Sequence, residues 1–501
     1  MKKLSRLSIN SLTVAFFFLI DKVLAFVRTG IISRQYSDEV HLLDTFNAAN
    51  NLPDVLFALI SGGALAMAFI PLLTEYVTTK DRAAAWDLFS RVANFGFVIT
   101  GSFAIVIAIF AQQIVDANLG IAPGFGAEQR KLLAELMRLN LIGTVIFSIS
   151  GLVMASLQAN QHFIFPALAP SMYNFGQIFG AIYLVPRYGI YGLVYGVIIG
   201  AALHLLIQLP MLFKLGFRWT PSLDIRNIGL IEALKLMSPR LLTMCAIQMI
   251  FIARDNLASR LDQVGAVTSL TYGWMIMQVP ETLLGTAIAT AMLPALAELV
   301  ARADWKEFRS TIERVLQVLI SLTLPVAAVM AAGIHPLVRA VFGFDEEISQ
   351  LITFTTRAYL ATLTGYSIQE IAARAFYARK EPMIPLYAAL IRFAIFLAVG
   401  ITGLTFFSHI GAPVIAFAEI ALLIEAIILL SWLSKRMHES IQTNKAIFKG
   451  LISAVVGGIV TYLIAVYLPG GAIVTALIGM TIGGLISLAI VWSEAKQIFN
   501  L

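Results

Sequence analysis

The chain has 501 residues, of which 59% are hydrophobic and only 13% charged, with a mean hydropathy of +0.85. A soluble domain averages about 45–50% apolar and about 25% charged residues, so a water-soluble fold is excluded. The formal net charge of +6 would suggest nucleic acid in a soluble protein, but here the basic residues gather in loops on one side and read as a topology signal instead.

A hydrocarbon core about 30 Å thick needs roughly 20 apolar residues per helix, and every backbone polar group inside it must be bonded within its own segment. The apolar stretches therefore predict an all-α integral membrane protein with about 14 transmembrane helices: 8–28, 42–74, 86–111, 130–157, 164–185, 189–213, 229–254, 264–299, 308–333, 348–377, 383–407, 411–433, 448–467 and 471–493. Lys2, Lys3 and Arg6 precede the first run. It continues through Ile20 into Asp21 and Lys22 with no small-x-small cleavage site before Arg28, so it reads as an uncleaved helix. The three longest stretches, 42–74, 264–299 and 348–377, are expected to tilt, break or extend past the membrane.

Counting loops from a cytosolic N-terminus puts Lys80, Arg82, Lys214, Arg218, Arg226, Arg302, Lys306, Arg379, Lys380, Lys435, Arg436, Lys445, Lys449 and Lys496 on the cytosolic side. The opposite loops collect Asp38, Glu39, Asp44, Asp345, Glu346 and Glu347. Basic loops stay in the cytosol, so both termini are expected there. Trp86, Trp219, Trp305, Trp432 and Trp492 fall near the same interface.

An internal repeat divides the chain. ASLQANQHFIFP at 155–166 aligns without gaps on RAFYARKEPMIP at 374–385, and FIPLLTE at 69–75 echoes MLPALAE at 292–298. Both members of the first pair occupy the loop between a fourth and a fifth helix. The implied plan is an N-terminal six-helix lobe at 1–213, a second at 229–433 around a central cavity, and two further helices at 448–493. Even-numbered lobes of equal orientation relate by an axis along the membrane normal, as in several transporter folds.

Catalytic motifs do not stand out. No G-x-x-x-x-G-K-[ST] loop is present, the six histidines are dispersed without H-E-x-x-H, and the single Cys245 lies in an apolar span. Neither an enzyme, a metal site nor a bound cofactor is expected. The spans do hold ionisable groups, each of which costs about 2.5–3.5 kcal/mol at mid-bilayer on insertion scales and so tends to face a cavity or a partner. Asp21 and Arg28 share a face of the first helix; Asn50, Asn51, Pro53 and Asp54 fall together in the second; Arg254-Asp255 ends the seventh; Glu281 follows Pro280 in the eighth; Arg392, Glu419 and Glu425 lie in the eleventh and twelfth. Arg28, Asn50, Asp54, Arg254 and Glu281 are the candidate substrate-binding residues. For each the bland alternative is a snorkelling or internally paired group.

LAFVR at 24–28, DTF at 44–46, LP at 52–53 and GALAMAFIPLLTEY at 63–76 resemble the MurJ (MviN) family of lipid II flippases, within the multidrug/oligosaccharidyl-lipid/polysaccharide exporter superfamily. PALAPSMYN at 166–174, Tyr272 with Pro280, LP at 293–294 and RAFYARKEPMIP at 374–385 extend the resemblance over both lobes. It implies a V-shaped bundle with a cationic cavity that passes an undecaprenyl-pyrophosphate-linked glycan from the inner to the outer leaflet of the bacterial inner membrane, for peptidoglycan synthesis, with membrane lipid and cell-wall synthesis proteins as further partners. A pyrophosphate headgroup cannot cross hydrocarbon with its charge unsatisfied, and arginine is its natural ligand because the guanidinium fork binds bidentately. The chain departs from that pattern at Phe57 and Met275, where arginines are usual, and at Gly62 and Thr29, where acids are usual. Only Arg28 remains of the arginine set, with Arg254 or Arg240 as compensating candidates. Another lipid-linked saccharide, an ion-coupled small-molecule export or a non-transporting scaffold stay open as alternatives. Coupling to membrane potential, a proton or sodium would fall to acids such as Glu281, Glu419 or Glu425.

Overall fold

The computed structural model describes residues 6–58, 64–79, 82–223, 228–437 and 441–497. Every regular element among the described residues is helical. Two compact units divide the chain, Met1–Asn256 and Leu257–Leu501.

The first unit comprises α1 (Arg6–Gln35), α2 (Val40–Ala49), α3 (Asn51–Phe57), α4 (Ala64–Thr79), α5 (Arg82–Ile109), α6 (Ala111–Asp116), α7 (Ala127–Ala159), α8 (Ile164–Phe179), α9 (Val185–Tyr188), α10 (Tyr191–Leu206), α11 (Leu209–Lys214) and most of α12 (Ile228–Ser259). Helix α7 is its axis and packs against α2 to α6, α8 and α10. Helices α8 and α10 meet backbone to backbone: a Cβ built on Gly176 would lie 2.3 Å from Gly200 Cα, and one on Gly196 would lie 2.9 Å from Gly180 Cα. Lipid tails are as apolar as leucine, so helices in a bilayer associate through such small-residue packing rather than through a hydrophobic drive. Near one end of the unit, Trp86, Phe89 and Phe217 stack edge to face, with centroids 5.3–6.0 Å apart.

The second unit comprises α13 (Ala266–Pro280), α14 (Ala287–Ala301), α15 (Trp305–Phe342), α16 (Glu346–Leu360), α17 (Leu363–Ala378), α18 (Met383–Phe407), α19 (Ala412–Phe417), α20 (Ile420–Met437), α21 (Asn444–Tyr467), α22 (Ala472–Ile490) and α23 (Trp492–Ala495). Asp304 and Asp345 cap α15 and α16, accepting from the backbone N–H groups of Glu307 and Ile348 at 3.0 and 2.9 Å. Helices α21 and α22 pack on α15 and on each other. The Ser453 and Ser487 hydroxyls donate to each other's carbonyl oxygens at 2.9 and 3.1 Å, and Thr461 donates to Gly479 O at 3.1 Å.

Nine helices among the described residues are long and apolar enough to cross a membrane, by length and composition. Several of the fourteen expected spans are interrupted instead. The 42–74 stretch parts at Asn50, between α2 and α3. Pro53 has no N–H to give Ala49 O; at the break itself the Asn50 backbone N–H turns to Asn47 O at 3.2 Å, and the Asn50 side-chain amide takes up Phe46 O at 3.0 Å. The 264–299 stretch becomes α13, a wide π turn at Glu281–Thr286 directly after Pro280, and α14. The 164–185 stretch carries a similar π turn at Gly180–Leu184. The 348–377 stretch breaks between Leu360 and Leu363, where the Thr362 hydroxyl takes up Tyr359 O at 2.8 Å.

The two aligned segments of the repeat end their helices in the same turn, which also follows α11 at Gly216 and α14 at Ala303. After α7, Gln161 adopts φ 61° and His162 N donates to Leu157 O at 2.9 Å; after α17, Lys380 adopts φ 60° and Glu381 N donates to Phe376 O at 2.9 Å. Two non-glycine residues at the same alignment position share a left-handed backbone that such residues seldom adopt.

Candidate functional site

Three of the polar spans expected from the sequence converge inside the first unit. On α1, Asp21 and Arg28 lie two turns apart on one face, and Asn174 of α8 sits between them. The Arg28 guanidinium donates to Asn174 Oδ1 at 2.9 Å, while Asn174 Nδ2 donates to Asp21 Oδ1 at 2.7 Å. Asn174 is 3% exposed, so the amide is committed and holds Arg28 in place. Arg28 itself is half-buried and forms no ion pair among the described residues. Its other N–H groups are therefore available to an anion.

Asn50, Asn51 and Asp54 come from the break between α2 and α3. The break turns the Asn50 amide toward α7, where Asn140 Nδ2 donates to Asn50 Oδ1 at 2.9 Å. Asn51 Nδ2 donates to Asp255 at 2.6 Å, and Arg254 Nε donates to the other oxygen of the same carboxylate at 2.7 Å. Arg254 and Asp255 are 6% and 1% exposed. Arg254 is thus a buried, internally paired cation whose guanidinium also lies 5.2 Å from the Phe251 ring centroid. Its pairing is the bland alternative stated above, and it fits a structural strut that ties α12 to α3 better than a phosphate ligand. Asp54 is exposed, and its backbone carbonyl accepts from Gln248 at 3.2 Å. Its carboxylate accepts no hydrogen bond among the described residues and lies within electrostatic reach of Arg254 and Asp255. Tyr173 lies within reach of both Arg28 and Asp54, so the two clusters border one polar region.

Glu281 belongs to the second unit. It begins the π turn, is 8% exposed, and accepts from the Thr286 hydroxyl at 2.7 Å and the Thr282 hydroxyl at 3.3 Å. The Arg240 side chain and Gly62 lie outside the described residues.

The amide bridge at Asn174 is the residue that sequence reasoning passed over. Its signal was an asparagine inside an apolar run, in the PALAPSMYN segment, but its two partners lie 146 and 153 residues away.

A family model described as lipid II flippase MurJ matches residues 40–483. The chain belongs to the lipid II flippase MurJ family. The lipid II flippase MurJ of Burkholderia cenocepacia is 28% identical over 391 residues, which cover 76% of this chain and 75% of that protein. The probable lipid II flippase MurJ of Vibrio cholerae is 26% identical over 437 residues, 83% of this chain and 82% of that protein. Among solved structures, a lipid II flippase MurJ in an inward closed conformation superposes with a TM-score of 0.79 at 22% identity, covering 97% of this chain and 98% of that one. An inward-facing multidrug resistance transporter of the MATE family superposes with a TM-score of 0.70 at 14% identity, covering 83% of this chain and 94% of that one. These superpositions show a shared fold. The MurJ family comprises multi-pass membrane transporters rather than enzymes.

Phe57 stacks edge to face on Phe147 at 5.2 Å, and Phe147 on Tyr173 at 4.9 Å. An aromatic column fills the place where a further arginine would stand. Thr29 is buried, with its hydroxyl donating to Ala25 O at 2.8 Å one turn back.

Proposed function

We propose that this chain flips a lipid-linked peptidoglycan precursor, lipid II, from the inner to the outer leaflet of the bacterial cytoplasmic membrane by alternating access of its two lobes, 1–213 and 229–433, with both termini in the cytosol. The observation that carries this reading is Arg28: a half-buried guanidinium with no ion-pair partner among the described residues, held by a buried amide. Asp21 lies within electrostatic reach but meets Arg28 only through the Asn174 amide, and an intramembrane guanidinium that is not directly paired favours a ligand that supplies negative charge. A pyrophosphate does so, and a guanidinium fork is the side chain that matches it. Asp21 and Asp54 flank the region and suit the hydroxyl and amide groups of a glycan-peptide headgroup. Family membership supplies the substrate class, since the curated relatives are named as lipid II flippases.

The test is complementation of a strain depleted of its own lipid II flippase, with export scored by accessibility of the headgroup to an external enzyme. Growth restored by the wild-type chain supports the reading. Correct insertion with no restored growth and no exposed headgroup overturns it.

A further inference from the structure

The second unit buries a charge cluster that the headgroup reading does not use. Arg392 of α18 is 4% exposed, and Glu419 and Glu425 are each 1% exposed. Arg392 Nη2 donates to Glu419 at 2.7 Å and to the Tyr366 hydroxyl at 2.8 Å, while Nη1 reaches Glu425 at 3.5 Å. Tyr366 of α17 also lies under the guanidinium, 5.3 Å from ring centroid to the guanidinium carbon. The other groups facing the cluster are Gln369 of α17, near Glu425, and Tyr359 of α16, near Tyr366. Trp274 of α13 stacks on Tyr366 at 5.2 Å. Among the described residues neither carboxylate forms an ion pair with a second cation.

One guanidinium therefore faces two carboxylates within membrane-spanning helices, and the ionised form would carry a net negative charge where desolvation is most costly. The two contacts are unequal. The distance to Glu419 is that of a charge-assisted bond, and the distance to Glu425 is at the outer edge of a hydrogen bond. Arg392 Nε–H has no acceptor among the described residues, so the guanidinium is not fully bonded there even with two acids beside it. Glu419 also sits at the break between α19 and α20.

We propose that Arg392, Glu419 and Glu425 form a one-proton site, with the proton on Glu425 and an Arg392–Glu419 ion pair beside it. The neutral triad ties α18 to α20 and its preceding break, with Tyr366 of α17 bonded to the same guanidinium. Loss of the proton leaves two carboxylates on one guanidinium and loosens that joint. The site thereby makes the transport cycle sensitive to pH, a consequence that rests on the flipping proposed above, whereas proton binding itself does not.

The test uses the purified full chain in lipid nanodiscs, followed by infrared spectroscopy of the carboxylic-acid C=O stretch during a pH titration. The wild-type chain should show a protonated-carboxyl band at neutral pH that Glu425→Gln removes. Glu419→Gln should remove the band too, because a single remaining carboxylate then pairs with Arg392 and ionises. It also serves as the second variant should Glu425→Gln fail to fold. A wild-type chain without a protonated-carboxyl band, or a band that survives in both folded variants, overturns the site. A band lost in both, with flipping unaffected by pH, confirms proton binding and overturns only the pH sensitivity. A band lost as expected in a chain that flips no lipid II counts against the functional reading and leaves the proton site standing.

Discussion

At the scale of single residues, function concentrates on Arg28 and stability on the pairs around it. Arg28→Ala should lower flipping at least roughly tenfold while expression and insertion stay normal, since a bond to a charged group contributes about 1.5–3 kcal/mol and about 1.4 kcal/mol is tenfold in affinity. Arg28→Lys should recover part of the activity, because an ammonium keeps the charge and loses the fork. Flipping in proteoliposomes reads both, and an alanine variant with full activity removes Arg28 from the site. Asp255→Ala should behave differently. It takes the shared carboxylate away from Arg254 and Asn51 in a buried setting, and breaking one side of a buried pair costs about 3–5 kcal/mol. A large fall in thermal stability in detergent is expected; an unchanged melting profile would show that the pair holds nothing together. Arg28 and Asp54 were legible as intramembrane charges, a costly pattern any sequence displays. Asn174 was not, because a lone asparagine in an apolar span means nothing until the fold brings its partners to it.

At the scale of elements, the apolar runs were legible because hydrocarbon demands them, and so was the repeated turn after α7 and α17. The breaks were only half legible. Proline marks where a backbone N–H is missing, but whether the chain answers with a kink, as at Asn50, or a wide turn, as at Glu281, depends on which side chains lie within reach. Helix contacts were hidden almost entirely, since a glycine in a span is silent about its neighbour. The α8–α10 seam makes that point testable. Gly176→Ala puts a methyl 2.3 Å from the Gly200 backbone, and overpacking typically costs about 1–3 kcal/mol. Gly101 has nothing within 4 Å of its missing Cβ, so Gly101→Ala should be neutral or stabilise α5 by up to about 1 kcal/mol. Melting temperatures of the two variants in one detergent should therefore move in opposite directions, or the first alone should fall. Equal losses would deny the seam its special closeness.

For the whole molecule, the charge asymmetry between loops makes a topological prediction. In a chain whose Cys245 is first replaced by serine, a cysteine at Leu223 should be shielded from a membrane-impermeant label added outside, while cysteines at Leu119 and Asp345 should react. Leu119 and Leu223 are well exposed, so labelling reports side rather than burial. The reverse pattern would invert the orientation. A different kind of consequence follows from the π turns at Gly180–Leu184 and Glu281–Thr286, one in each unit. A wide turn of this sort holds one residue more than the α-helix it interrupts, and an α-helix advances about 100° per residue at 3.6 residues per turn. Each turn therefore absorbs one residue that a continuous α-helix has no place for, so the helix on its far side keeps its face. A one-residue deletion inside either turn should accordingly be taken up by a return to regular helix, whereas a one-residue deletion in a neighbouring straight segment would swing the following face by about 100°.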